Sequence, residues 1–409
     1  MAALARTVLR IAESPRVVFL VALAIRVWML LQLLPQKAWE YFYHYNEFAR
    51  IAAAWSSGHG YSSPWAHTPL VATAVEPPVY TAILAGIFRL AGPYSYNALW
   101  MSGLLNAVFS SLSAVLLLRL GKRDFGALPG ILAAWAWACW LYEAAVAVRL
   151  WESSLSALLL LIALRALPGL KIARLWQWLG FGLLAAIAGL TNTALLAVFA
   201  FFWIWLWASR RKSERSRSWL VLGSIGVCLL ALLPWTIRNY QRFHRVIPVR
   251  DNFGLELWLG NHPGVGPRFD NDFPILDPTE YNRLGEIQFM ESKRAIALRF
   301  MGEHPAEFLS LSAHRLVRFW AAPDPPAWAT ISLMAWLGMF LALKRKGADA
   351  VPYAIALIIF PVVYYATHTF NTYRHPIEPV IFLLAAYAAV SGLKRISAAG
   401  AIRETPDGI

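Results

Sequence analysis

Apolar runs long enough to cross a bilayer recur along the whole chain, and they leave few folds open. Hydropathy and breaker residues place about ten of them, near residues 17–34, 95–118, 125–142, 150–165, 175–191, 193–208, 219–236, 327–343, 351–367 and 377–393. In hydrocarbon every backbone N–H and C=O must find a partner inside the protein, so runs of this length are read as helices. The expected fold class is an all-α polytopic membrane protein. Composition agrees. Charged residues make up 15% of the 409, where a soluble domain carries about 25%, and mean hydropathy is +0.50.

The formal net charge of +14 does not point to nucleic acid, because the basic residues sit in short loops between the apolar runs. That is how orienting charges are distributed in membrane proteins. With the N-terminus inside, the inner loops hold Arg6, Arg10 and Arg16, then Arg119, Lys122 and Arg123, then Arg165, Lys171 and Arg174. The cluster Arg210, Arg211, Lys212, Arg215 and Arg217 follows, then Lys344, Arg345 and Lys346, and finally Lys394 and Arg395. The short outer loops hold little beyond Arg149 and Arg374. The alternation never breaks, which places both termini in the cytoplasm. Val17–Leu34 is read as a retained first span, since no small-residue cleavage site accompanies it. Cys139 and Cys228 lie inside apolar runs and read as packing residues. The nine histidines show no zinc-binding spacing on one helix. Tryptophans such as Trp135, Trp137, Trp140, Trp203, Trp205 and Trp207 suit membrane interfaces.

Two long segments then fall outside. The organisation expected is an N-terminal transmembrane module over 1–236 that includes a first outer loop at 35–94, an outer region over 237–326, and C-terminal transmembrane helices with a cytoplasmic tail over 327–409. Within the second segment, 277–301 and 305–320 read as two helices split at His304-Pro305. No internal repeat is evident, so a repeat-built transporter gains no support.

The first outer loop carries the chemistry. Glu40, His44, Glu47 and Ile51 fall on one face of a helix spanning Trp39 to Ser57, and Gly58-His59-Gly60 ends it. Glu76 precedes Pro77-Pro78, at the mouth of a second interfacial helix over 79–91. Converging carboxylates here can act as a general base toward an acceptor hydroxyl, or hold a divalent metal with a phosphate. A leaving phosphate needs neutralising cations. Arg374, Arg238 and Arg250 are the candidates by position, set against the blander reading of span-end arginines that snorkel. Arg26 sits in the middle of the first span, where a charge faces a cavity or a partner such as Glu143 or Glu152. Thr191-Asn192-Thr193 separates two spans and reads as a turn with capping hydroxyls.

These segments resemble the GT-C glycosyltransferases, in particular the family 39-like group of protein mannosyltransferases and lipid A aminoarabinose transferases. The matching residues are Ala49-Arg50, Gly58-His59-Gly60-Tyr61, Pro77-Pro78-Val79-Tyr80 and Phe88-Arg89-Leu90-Ala91-Gly92. Further on they are Pro234 to Tyr240, Asn252 to Asn261, and Tyr373-Arg374-His375-Pro376-Ile377-Glu378-Pro379. The resemblance implies transfer of a sugar from a polyprenyl-phosphate carrier to an acceptor on the outer face of a bacterial inner membrane. It implies no nucleotide sugar, in keeping with the absence of a phosphate-cradling glycine loop. The base of that group is an Asp in an Asp-Glu pair, which would fall here at His44-Tyr45. This chain departs from the pattern, so Glu47 is the substitute, with Glu40 or His44 as alternatives. Glu76 matches an acid that helps hold the donor phosphate in some members, sometimes through a metal, so Mg, Mn or Zn is a cofactor to test. Arg374, Arg238, Arg250 and Tyr80 are the expected donor-phosphate residues, and Arg26, Arg50 and Glu152 the expected cavity lining. Two other classes stay open at this stage: a transporter of lipid-linked sugars, and a non-catalytic relative that binds a carrier lipid or a partner.

Overall fold

The computed structural model describes residues 7, 9–35, 46–65, 70–170, 174–209, 218–266, 278–322 and 327–403. It is helical throughout apart from one isolated antiparallel bridge, Ser62 to Ala72. The first span, α1 (Pro15–Leu33), starts at Ser14, whose side chain accepts the Val17 N–H. The outer segment then supplies α2 (Glu47–Ser56) and α3 (Pro78–Ala91). After these come α4 (Tyr96–Asp124), α5 (Ala127–Cys139), α6 (Leu141–Ala147), α7 (Ser153–Leu170), α8 (Leu175–Gly189), α9 (Thr193–Ala208) and α10 (Trp219–Phe243). The second outer region folds as α11 (Phe253–Gly260), α12 (Pro278–Leu284), α13 (Glu286–Glu303) and α14 (Pro305–Ala321). The split at His304-Pro305 is where the sequence placed it, and Gly285, at φ +73°, makes a further break. The chain closes with α15 (Ala327–Lys346), α16 (Val351–Ile359), α17 (Val362–Ala366) and α18 (Glu378–Arg403), with 3₁₀ turns at Gly347–Ala350 and Asn371–Ile377.

The sequence led to about ten spans. Among the described residues, six helical stretches are long and apolar enough to cross a membrane, and a seventh counts if the bent pair α5–α6 is one span. Two further expected spans, α8 and α9, have 15 and 16 residues and are shorter than a full crossing by that measure. The stretch from Ala327 to Ala366 takes in two more of the expected runs. Backbones pack closely where glycine permits it: a Cβ at Gly182 would meet the Ser224 carbonyl of α10, and one at Gly338 the Leu384 carbonyl of α18.

Arg26 explains the bend between α5 and α6. The two helices meet at 64°, and Trp140 between them is extended (φ −74°, ψ 107°). The break frees carbonyls at the end of α5. Arg26 donates to Trp137 O (2.9 Å) and Ala138 O (3.0 Å), and its Nε to Ser110 Oγ (2.7 Å). The charge therefore neither lines the cavity described below nor pairs with Glu143 or Glu152. It is satisfied by carbonyl dipoles because broken helix ends offer acceptors that hydrocarbon cannot. Glu143 pairs instead with His375 Nδ1 at 2.5 Å.

Candidate active site

A cavity of about 430 Å³ opens between the helices and their connecting segments. Its lining comes from the start of α2 (Glu47), the segment before α3 (Glu76), the residues before α7 (Trp151, Glu152), the α8–α9 turn (Asn192), the segment into α11 (Arg250, Glu256) and the α17 region (Tyr364, Tyr373).

Each acid is fixed by local structure. Asn46 caps α2 by accepting the Ala49 N–H (3.1 Å), which puts Glu47 in the first turn, where the helix dipole favours a negative charge. Glu76 is held extended by the following prolines. Tyr61 O–H donates to the Glu76 carbonyl (2.7 Å). Upstream, Thr73 Oγ1 (2.5 Å), Ala74 N (2.6 Å) and Tyr281 O–H (2.9 Å) all donate to the buried Glu286 carboxylate, and Asp251 N donates to Ala74 O (2.9 Å). The segment that carries Glu76 is thus pinned to the second outer region.

Glu47 and Glu76 form an acid pair. Burial raises both above the usual carboxylate range. Glu76 is raised well above that range, with Glu47 among the causes, and Glu47 is raised with it. Arg250 Nη2 lies 3.5 Å from Glu76 Oε1 and 3.1 Å from Glu256 Oε1. Burial draws the Arg250 pKa down, but Glu76, Glu256, Glu47 and Glu152 outweigh it and keep the guanidinium charged. Asn252 Nδ2 also donates to Glu256 (2.5 Å), and His368 lies 3.4 Å from Glu256 Oε2. The other His368 nitrogen is 3.0 Å from the Tyr373 hydroxyl. Three buried atoms around this cavity have no hydrogen-bond partner by donor–acceptor geometry among the described residues: Glu76 Oε2, Glu152 Oε2 and Arg250 Nε. Buried polar atoms without partners are costly, and their clustering at one cavity marks a place for a polar ligand.

The structure thus brings Glu47, Glu76, Arg250 and Glu152 together. Glu40 and His44 lie outside the described residues. Arg374, expected at the donor phosphate, is buried elsewhere. It pairs with Glu378 through Nε and through Nη2 (2.9 Å), and donates to Ser332 Oγ (2.8 Å) and the Trp320 carbonyl (3.2 Å). It closes the free carbonyls at the end of α14 and has no remaining reach into the cavity. Arg238 also departs from expectation. Its guanidinium donates to Thr73 O (2.5 Å) and Tyr61 O (2.9 Å) and lies over the Trp235 ring at 4.9 Å, stapling the first outer loop to α10. Tyr80 is buried under Phe48 and accepts from Asn106 Nδ2 at 2.8 Å. Arg50 lies on α2 toward Tyr94, not on the cavity wall. Among the described residues no three His, Cys, Asp or Glu side chains group closely enough to hold a metal ion. Glu76 therefore has no such cluster around it among the described residues.

No protein-family model matches the chain, and no curated protein does. Solved structures do. Those with a similar helical fold include AglB, the oligosaccharyltransferase of Archaeoglobus fulgidus. AglB in complex with an inhibitory peptide and a dolichol-phosphate aligns with a TM-score of 0.57 and 14% identity, over 97% of this chain and 52% of that one. The same oligosaccharyltransferase with Zn and sulfate gives 0.53 and 14%, over 92% and 51%. ArnT from Cupriavidus metallidurans in the apo state gives 0.44 and 16%, over 84% and 54%. The chain spans about half the length of these proteins, and at these identities the likeness is one of fold.

Proposed function

We propose that this chain is an integral-membrane glycosyltransferase that moves a sugar from a polyprenyl-phosphate carrier to an acceptor hydroxyl on the outer face of the membrane. The observation that carries the reading is the Glu47–Glu76 acid pair beside Arg250, on the wall of a cavity at the ends of the helices. Glu47 takes the proton of the acceptor hydroxyl. The acceptor oxygen bonds to the anomeric carbon, the bond from that carbon to the phosphate oxygen breaks, and its electron pair leaves with the carrier phosphate. Arg250 faces the charge that builds on that phosphate. A base for the acceptor and a cation for the leaving phosphate suffice for such a displacement, and the α2 cap at Glu47 and the contacts of Arg250 to Glu76 and Glu256 hold the two in place before substrate arrives. In AglB, a protein of this fold, the ligand is a dolichol-phosphate, which is a carrier of the proposed chemistry.

The test uses the protein in nanodiscs with labelled polyprenyl-phosphate sugars, following sugar release for the natural sequence and for Glu47→Gln. Release that disappears in the variant supports the reading. Release that survives moves the base to Glu40 or His44. Binding of carrier without release from any donor favours the non-catalytic alternative.

A further inference from the structure

The cavity wall opposite in chemistry to Arg250 is made by Trp151, Glu152 and Asn192. Glu152 is 6% exposed and stands directly before α7. Its Oε1 accepts from Asn192 Nδ2 at 3.0 Å, while Oε2 has no partner. Asn192 cannot swing away, because its own Oδ1 accepts the Ala194 N–H at 3.0 Å as the cap of α9. One helix cap therefore sets the plane of the Glu152 carboxylate. Trp151 is fixed as well, edge-to-face with Phe48 at 5.7 Å and 70°. Burial pushes the Glu152 carboxyl up to about 7, so it carries at most part of a charge near neutral pH, and its free oxygen is placed to hydrogen-bond a hydroxyl. An indole offers an apolar ring face. That combination suits a sugar ring, with hydroxyls on one side and C–H groups on the other, and it does not suit the carrier's phosphate.

Resting on the proposed transferase reading, we infer that Trp151, Glu152 and Asn192 form the subsite that reads the transferred sugar, with Glu152 Oε2 accepting a hydrogen bond from a ring hydroxyl. The phosphate sits toward Arg250. Glu152 is then a specificity residue, and Glu47 remains the base.

Binding tests this independently of turnover. The natural protein in nanodiscs is titrated with sugar-bearing and with sugar-free polyprenyl phosphate. Satisfying a buried oxygen that otherwise has no partner sets the expected preference for the sugar-bearing carrier at roughly 10- to 100-fold. Glu152→Gln and Trp151→Ala should each erase most of that preference and leave the affinity for the sugar-free carrier as it was, which also shows the variants are folded. A preference unchanged in both variants overturns the subsite. So does equal loss of affinity for both carriers. A natural protein that prefers the sugar-bearing carrier yet transfers nothing would sink the transferase reading and leave the subsite standing.

Discussion

Arg250→Ala isolates the electrostatics of the cavity. Arg250 Nη2 contacts Glu76 at 3.5 Å and Glu256 at 3.1 Å, with side-chain exposures of 24%, 4% and 27% for the three residues. At an effective dielectric of about 20, each contact is roughly 5 kcal/mol of gross attraction. Desolvation offsets most of that, and removing one partner of a buried pair typically costs about 3–5 kcal/mol because the other charge is stranded. The stranded carboxylates have an escape, which is protonation. Without the cation the Glu76 pKa rises further above the value of an unfolded carboxylate, about 4.3. The folded variant then binds more protons than the unfolded chain above that pH, so its stability falls as pH rises. The expected result is a stability gap between natural protein and variant that is widest near pH 8 and closes toward pH 5. Thermal unfolding in detergent across that range reads it. Arg250→Lys should recover part of the gap, since an ammonium supplies the charge without the planar fork. A gap independent of pH, or one that widens on acidification, would refute the assignment of Arg250 as the counter-ion of these acids.

Four further outcomes follow from the same geometry. Glu47→Gln should lower sugar transfer by about 10²–10⁴-fold, the usual worth of a general base, without loss of thermal stability, because it removes a carboxyl whose charged form burial disfavours. The rate of the natural protein should rise with pH, with a midpoint above the ordinary carboxylate range. In Glu76→Gln that limb should move to lower pH, since the amide can still donate to Glu47 and keep it ionised; a limb that stays put would mean the pair shares no proton. Glu286→Ala strands three donors, each costing about 1–3 kcal/mol at most, and should show both a lower unfolding temperature and slower transfer through the loosened Glu76 segment. Arg374→Ala should destabilise by about 3–5 kcal/mol while folded protein keeps its affinity for polyprenyl phosphate, a contrast with Arg250 that a carrier-binding titration resolves.

Hydropathy and charge alternation made the helical architecture legible, because lipid admits so few backbones. The setting of Glu76 was legible from the prolines that follow it, but the single helix expected from Trp39 to Ser57 is broken at the extended Asn46, and Glu47 instead opens α2. The arginines were not legible. Span-end arginines look alike in sequence, and only the fold reveals that Arg374 finds Glu378 and the carbonyls at the end of α14 while Arg250 finds Glu76 and Glu256. The Thr191-Asn192-Thr193 turn was read as capped by hydroxyls, but the cap is the Asn192 amide oxygen, and its nitrogen is what reaches Glu152. Glu256 and Tyr373 lay inside segments that drew attention for their resemblance, but nothing local to them signals a cavity wall. Their roles depend on contacts across the chain, such as His368 to Glu256.

The Arg26 contacts bear on how the chain is inserted. Its carbonyl partner at Ala138 lies 112 residues further along. Until that stretch is synthesised and bends, the first span presents an unsatisfied cation to lipid, at a cost of about 2.5–3.5 kcal/mol on the insertion scale. The α1 helix is thus poorly settled by itself and becomes settled when α5 arrives. Assembly of this end of the protein has a built-in order, in which the bent segment acts as the latch for the span that entered first.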